Sequence, residues 1–270
     1  MSLLNRSLAA VTTASTVASR QLGMSARANA PIKNVTVIGS GLMGSGIAQV
    51  VAQAQLNVTV VDRTDAILEK AHAAIDKSVR RIAKKKFADD TKAQDAMVED
   101  VMKHITMTTD IPQSVKEADL VIEAIVENLT MKRNVFEQIE GASRTGTLLA
   151  TNTSSISLAE IAANLKRKSN FAGLHFFNPV PVMKLLEVAR YHETSDETFN
   201  TLMEFGKTIG KTTVSCKVRM CFSLRDSLPN SISFNQPTVL NNSNTIELLR
   251  VTAYTCSFQD TPGFIVNRLL

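Results

Sequence analysis

KNVTVIGSGLMG, residues 33–44, is the stretch that decides the fold. A short β-branched run ends abruptly at Gly39, the first of three glycines in the spacing GxGxxG. Gly39 permits a tight turn off a strand, Gly41 lets the backbone approach a pyrophosphate, and Gly44 lets the next helix pack closely on the sheet. Residues 42–55 have helical composition, residues 58–61 (VTVV) read as a second strand, and Asp62 closes it. Strand, glycine turn, helix, strand and terminal acid within about 30 residues form one βαβ unit with a dinucleotide-binding signature. The N–H groups at the start of that helix offer a partial positive charge to phosphates. Asp62 suits the adenosine ribose hydroxyls and repels a 2′-phosphate, so NAD is expected rather than NADP. Arg63 is the competing feature, because it pairs with a 2′-phosphate if Asp62 turns away.

Working outward, residues 64–87 place Ile67, Leu68, Ala71, Ile75, Val79 and Ile82 on one helical face. A second helix over residues 90–103 makes this an inserted helical hairpin. Strands are predicted at 105–109, 120–125, 148–150, 171–177, 183–189 and 212–215. Helices are predicted at 130–139, 158–165 and 197–208. The alternation indicates a Rossmann-like, doubly wound, mostly parallel sheet.

The first 30 residues are rich in Ser, Ala and Thr, carry arginines and have no acid, which is the composition of a mitochondrial transit peptide. The expected organisation is a transit peptide at 1–30 and an NAD-binding and catalytic domain at 31–217. An irregular insert at 218–259 and a stub of a C-terminal helical domain at 260–270 follow. The net charge of +5 fits an anionic small-molecule partner. No nucleic-acid-binding motif is visible, and no apolar run reaches the roughly 20 residues of a membrane span. Three cysteines without a CxxC pair point to a reducing compartment, and no metal site is read.

A second dense stretch is HFFNPVPVMKLLE, residues 175–187. His175 ends a predicted strand at the edge where such sheets bind ligands. Removing a hydroxyl proton as hydride leaves carbon calls for a base that titrates near neutrality, and a carboxylate such as Glu187 can orient it. Read alone, a histidine there serves structure as often as chemistry. TNTSS at 151–155 ends another strand at the same edge. Ser154 is favoured for a site role and Ser157, with Glu160 three residues on, for a capping box.

These motifs together resemble the L-3-hydroxyacyl-CoA dehydrogenase family, in its short-chain mitochondrial branch. The residues that carry the likeness are VIGSGLMGSGIAQV (37–50), EAIVEN (123–128), ATNTSS (150–155), FAGLHFFNPVPVMKLLEV (171–188) and DTPGFIVNR (260–268). The resemblance implies NAD-dependent oxidation of (3S)-3-hydroxyacyl-CoA to 3-oxoacyl-CoA in fatty-acid β-oxidation, in the mitochondrial matrix. It implies His175 as general base, Glu187 as its partner, Ser154 on the substrate oxygen and Asn267 as a fourth member. For the cofactor it implies Gly39, Ser40, Gly41, Leu42, Met43, Gly44, Asp62, Glu127, Lys132, Ser154 and Asn178. For CoA it implies Ser78, Lys85 and Ser154. The family dimerises through a C-terminal helical domain, which is expected to be absent here, so this chain is expected to bind NAD with little or no turnover.

The family passes directly from SCK to DTPGF, whereas residues 218–259 intervene here. Val218-Arg219 is encodable as a splice donor and Cys256-Ser-Phe-Gln259 as a pyrimidine tract and acceptor, so a translated, retained intron is expected. Sequencing the transcript across the junction decides that point. The alternatives weighed are a non-catalytic, crystallin-like NAD- or CoA-binding protein, and a hydroxyacid dehydrogenase that uses a lysine and lacks HFFNP.

Overall fold

The computed structural model describes residues 31–217. The expected transit peptide, insert and stub, and with them Asn267, lie outside the described residues.

Eight strands form one sheet in the order β3-β2-β1-β4-β5-β6-β7-β8. They are β1 (Asn34–Ile38), β2 (Asn57–Val61), β3 (Ile105–Thr108), β4 (Leu120–Glu123), β5 (Leu148–Thr151), β6 (Phe171–Phe176), β7 (Leu185–Arg190) and β8 (Thr212–Lys217). Every neighbouring pair is parallel except β6 with β7. The strand order reverses between β1 and β4, so the carboxyl ends of these two strands flank the crevice where a doubly wound sheet takes its ligand.

The helices are α1 (Leu42–Gln53), α2 (Asp65–Lys86), α3 (Thr91–Met102), α4 (Ile111–Val115), α5 (Leu129–Ala142), α6 (Leu158–Ile161) and α7 (Asp196–Thr208). They cover both faces, so the central strands are buried on both sides and read as continuous apolar runs. Side chains alternate between two cores. Val35, Val37, Leu120, Ile122 and Leu174 join α1, α2 and α7 on one face. Ile38, Val121, Leu149 and Phe171 join Phe136 and Ile139 of α5 on the other. Phe171 sits edge-on to Phe136, with ring centroids 5.1 Å apart.

The expected hairpin forms from α2 and α3. Asp90 starts α3 by accepting from the Ala93 backbone N–H. The buried stripe of α2 is Leu68, Ala71, Ile75, Val79 and Ala83. Ile67 and Ile82, expected on the same stripe, are only partly covered and line a cavity instead. Residues 158–165 were expected to be one helix. They form a single α turn that tightens into a 3-10 turn at Ala162–Asn164. Ser157 makes no capping bond with its side chain, so the expected capping box does not form. A four-residue helix has too little length to reward it.

Candidate active site

The glycine turn follows from its backbone. Gly39 has φ +100°, and a Cβ there would stand 2.6 Å from the Ala124 carbonyl oxygen. A Cβ on Gly44 would stand 1.8 Å from the Gly39 carbonyl oxygen, so α1 can begin this close to the turn only with glycine at that position. A Cβ on Gly41 would meet nothing within 4 Å. Gly41 is the N-cap of α1, without a side-chain cap bond and with no acid in the first turn. The first-turn N–H groups are thus oriented toward open space, the arrangement a pyrophosphate requires.

Asp62 is fixed beside that turn. Its Oδ2 accepts from the Ser40 N–H and the Ser40 hydroxyl, both at 2.8 Å, and its Oδ1 from the Arg63 N–H at 2.7 Å. The carboxylate therefore faces the glycine turn rather than turning away, which answers the question that Arg63 raised. Both lone pairs of Oδ2 are taken, and one on Oδ1 remains for a ribose hydroxyl. Burial pushes the Asp62 carboxyl up. The hydrogen bonds from Ser40 and Arg63 and the Arg63 charge outweigh it, so the group lies below the ordinary carboxylate range.

At the end of β4, Glu123 is fully buried and Lys132 of α5 is 1% exposed. Lys132 Nζ lies 2.6 Å from Glu123 Oε1 and 3.5 Å from Glu127 Oε2. Glu123 also accepts from the Thr151 hydroxyl at 2.6 Å and the Ile125 N–H at 2.7 Å. Glu127 accepts from the Thr153 hydroxyl at 2.8 Å and from the Ser154 N–H at 2.9 Å. Sequence reasoning named Glu127, Lys132 and Ser154 but not Glu123, Thr151 or Thr153, which join them into one network. The missed signal is an acid ending a buried strand with no exposed alternative.

His175 and Glu187 are register partners across β6 and β7. The antiparallel pairing sets them side by side on one face, and His175 Nδ1 lies 2.9 Å from Glu187 Oε2. An ionised carboxylate only accepts, so the proton of a neutral ring sits on Nδ1 and Nε2 is left as the basic nitrogen. Nearby, Asn152 Oδ1 accepts from the Phe176 N–H at 2.9 Å, tying the ends of β5 and β6 together.

Ser78, Lys85 and Asn178 line a cavity of about 800 Å³ between α1, α2 and the loop of residues 178–182. His175 and Glu187 are not on its wall; the cavity opens beside Asn178, three residues beyond His175. Lys211, buried and unanticipated, donates through Nζ to the carbonyls of Val180 and Met183 and pins this loop. Desolvation holds its ammonium below the usual lysine range.

Two outcomes follow from this geometry. Lys132→Met leaves Glu123 as a buried, uncompensated carboxylate and should lower unfolding free energy by about 3–5 kcal/mol in urea; a loss under about 1 kcal/mol would show that the pair contributes little. Asp62, lowered in the folded state, contributes stability that is complete above its unfolded value near 3.9 and lost as pH falls through the lower folded value. The stability gap between the wild type and Asp62→Asn should therefore narrow below about pH 4. A gap that stays constant through acid would refute the lowered value.

Residues 34–219 match the family model described as "3-hydroxyacyl-CoA dehydrogenase, NAD binding domain". A probable 3-hydroxyacyl-CoA dehydrogenase of Caenorhabditis elegans is 51% identical over 239 residues, covering 88% of this chain and 64% of that protein. The human mitochondrial hydroxyacyl-coenzyme A dehydrogenase is 41% identical, covering 88% of this chain and 63% of that protein. The chain thus spans just under two thirds of these two relatives. Among solved structures, the (S)-3-hydroxybutyryl-CoA dehydrogenase of Ralstonia eutropha superposes with a TM-score of 0.67 at 37% identity, covering 73% of this chain and 67% of that one. The glycine turn with its oriented acid, the paired histidine and these likenesses converge: the chain belongs to the 3-hydroxyacyl-CoA dehydrogenase family and carries its NAD-binding domain.

Proposed function

We propose that this site oxidises (3S)-3-hydroxyacyl-CoA to 3-oxoacyl-CoA as part of fatty-acid β-oxidation, with His175 as the general base. The observation that carries the reading is the 2.9 Å contact between His175 Nδ1 and Glu187. Bound NAD would supply the acceptor for the hydride that leaves the substrate carbon. His175 Nε2 takes the hydroxyl proton, and Glu187 holds the ring and stabilises its charged form. Ser154, oriented through its N–H by Glu127, presents its hydroxyl to the substrate oxygen. Asp62 receives the adenosine ribose. Lys132, buried against Glu123, acts through Glu127, and Glu127 and Asn178 border the cofactor. Ser78 and Lys85 meet the CoA nucleotide, Lys85 by charge. Asn267 is proposed as a fourth member on the family pattern alone.

The first 30 residues are proposed to direct the chain to the mitochondrial matrix. Their acid-free, arginine-bearing composition supports this, as does the mitochondrial designation of the human, pig and rat relatives.

The test joins residues 31–217 and 260–270 to the part of the worm relative that this chain does not span, and follows NADH consumption with acetoacetyl-CoA. His175→Asn should lower kcat by at least about a thousandfold, on the scale of losing a triad base, with NADH affinity unchanged. Glu187→Gln should lower kcat by an intermediate factor and displace the pH profile. Near-normal turnover in His175→Asn, or free acetoacetate serving as well as its CoA ester, would refute the proposal.

A further inference from the structure

Four charged side chains are buried among the described residues: Glu123, Lys132, Glu187 and Lys211. Glu123 and Lys132 pair with each other, and Glu187 pairs with His175. Lys211, 8% exposed, pairs with no carboxylate among the described residues. A buried charge without an opposite partner is costly, so its surroundings must compensate in another way.

They do so with carbonyls and helix ends. Nζ donates to the Val180 carbonyl and, at 2.7 Å, to the Met183 carbonyl. Gln53 and Ala54 at the end of α1, and Thr208 and Ile209 at the end of α7, share with Lys211 the wall of a second cavity, of about 330 Å³. Both helix C-termini carry partial negative charge, which favours a cation between them. Lys184 is the other titratable group on that wall, and it adds only repulsion.

The loop held by this ammonium has few other anchors. Val182 is 70% exposed and Met183 39%, so their apolar surface does little to seat it. Val180 is buried and pressed on Gly46 of α1, where a Cβ would stand 2.8 Å from the Val180 Cβ. Asn178 stands at the start of the loop, exposed, on the wall that it shares with Ser40 and Gly41 of the glycine turn. The place of Asn178 relative to that turn is therefore set by one apolar contact, Val180 on Gly46, and by one cation.

We propose that Lys211 is a positioning residue for the cofactor: by gathering the Val180 and Met183 carbonyls it holds Asn178 at the distance from the glycine turn that bound NAD requires. The proposal rests on the reading of Asn178 as a cofactor neighbour given above. Lys211 is not on the wall that Asn178 shares with the glycine turn; it acts through the loop and takes no part in proton transfer.

A double-mutant cycle on the full 270-residue chain tests this, with NADH affinity measured by calorimetry in wild type, Lys211→Met, Asn178→Ala and the double variant. Lys211→Met should bind NADH about tenfold more weakly than wild type. In the Asn178→Ala background the same substitution should weaken binding by less than about twofold, because the residue it positions is already gone. Unchanged NADH affinity in Lys211→Met, at whatever melting temperature, would overturn the proposal. Equal weakening in both backgrounds would overturn it too, since that is the mark of a general loss of structure. If Lys211→Met does not fold, Lys211→Gln, which keeps an NH2 donor without the charge, takes its place in the cycle and the same outcomes decide. If Asn178→Ala binds NADH as wild type does, the reading of Asn178 fails and the proposal with it; if Asn178→Ala binds weakly and Lys211→Met binds normally, only the proposal fails.

Discussion

The pairing of β6 with β7 is the constraint on which the site depends. A parallel neighbour would place residue 187 at some other depth along the sheet. The antiparallel register sets Glu187 opposite His175 and so fixes an imidazole by a carboxylate without any loop having to be ordered for it. The reversal of direction has further consequences. β7 must be reached by a short connection, residues 177–184, and its residues 178–182 form one wall of the cavity. Lys211, just before β8, donates to two carbonyls of the same loop. The turn that allows the catalytic pair also shapes the space beside it.

A second constraint acts at the switch in strand order. Three acids stand at or just beyond the carboxyl ends of β1's neighbours: Asp62 after β2, Glu123 at the end of β4, and Glu127 in the loop beyond. Each is held differently. Asp62 is fixed by backbone and hydroxyl donors and keeps one lone pair, on Oδ1, for a ligand. Glu123 is saturated by Lys132, Thr151 and Ile125 and serves as a buried anchor. Glu127 is partly exposed and orients Ser154. A buried ion pair adds little net stability over an apolar pair of the same shape. The Glu123–Lys132 pair is better understood as holding Glu127 and the residues 151–154 in one geometry.

Much of this was legible from the chain. The β-branched runs ending in Gly39 and Asp62, the helical stripe of α2 and the reach of HFFNP located most elements to within two residues. The misses have physical causes. α4 spans five residues, too few for a period to show, although Asp110 before Pro112 is an N-terminal signal. The helix expected over 158–165 gives way to a 3-10 turn because its buried positions, Leu158, Ile161, Ala162 and Leu165, stand at a spacing that an α turn followed by a 3-10 turn meets as well as one helix does. The antiparallel β7 could have been read from the eight residues that separate it from β6, since a parallel crossover needs a dozen or more. Glu123 at the end of its apolar strand and Gln49 in its apolar helix stand out in the sequence as lone polar residues, but only the packed fold reveals that one is paired and the other is not.

The central claim is that Glu187 holds the His175 ring with its proton on Nδ1, leaving Nε2 as the base. The imidazole nitrogen shifts of 15N-histidine-labelled chain report this directly. With the ring neutral, His175 should be in the Nδ1–H form, and Glu187→Gln should shift it toward the other tautomer. An Nε2–H form in the wild type, or shifts indifferent to the loss of the carboxylate, would contradict it.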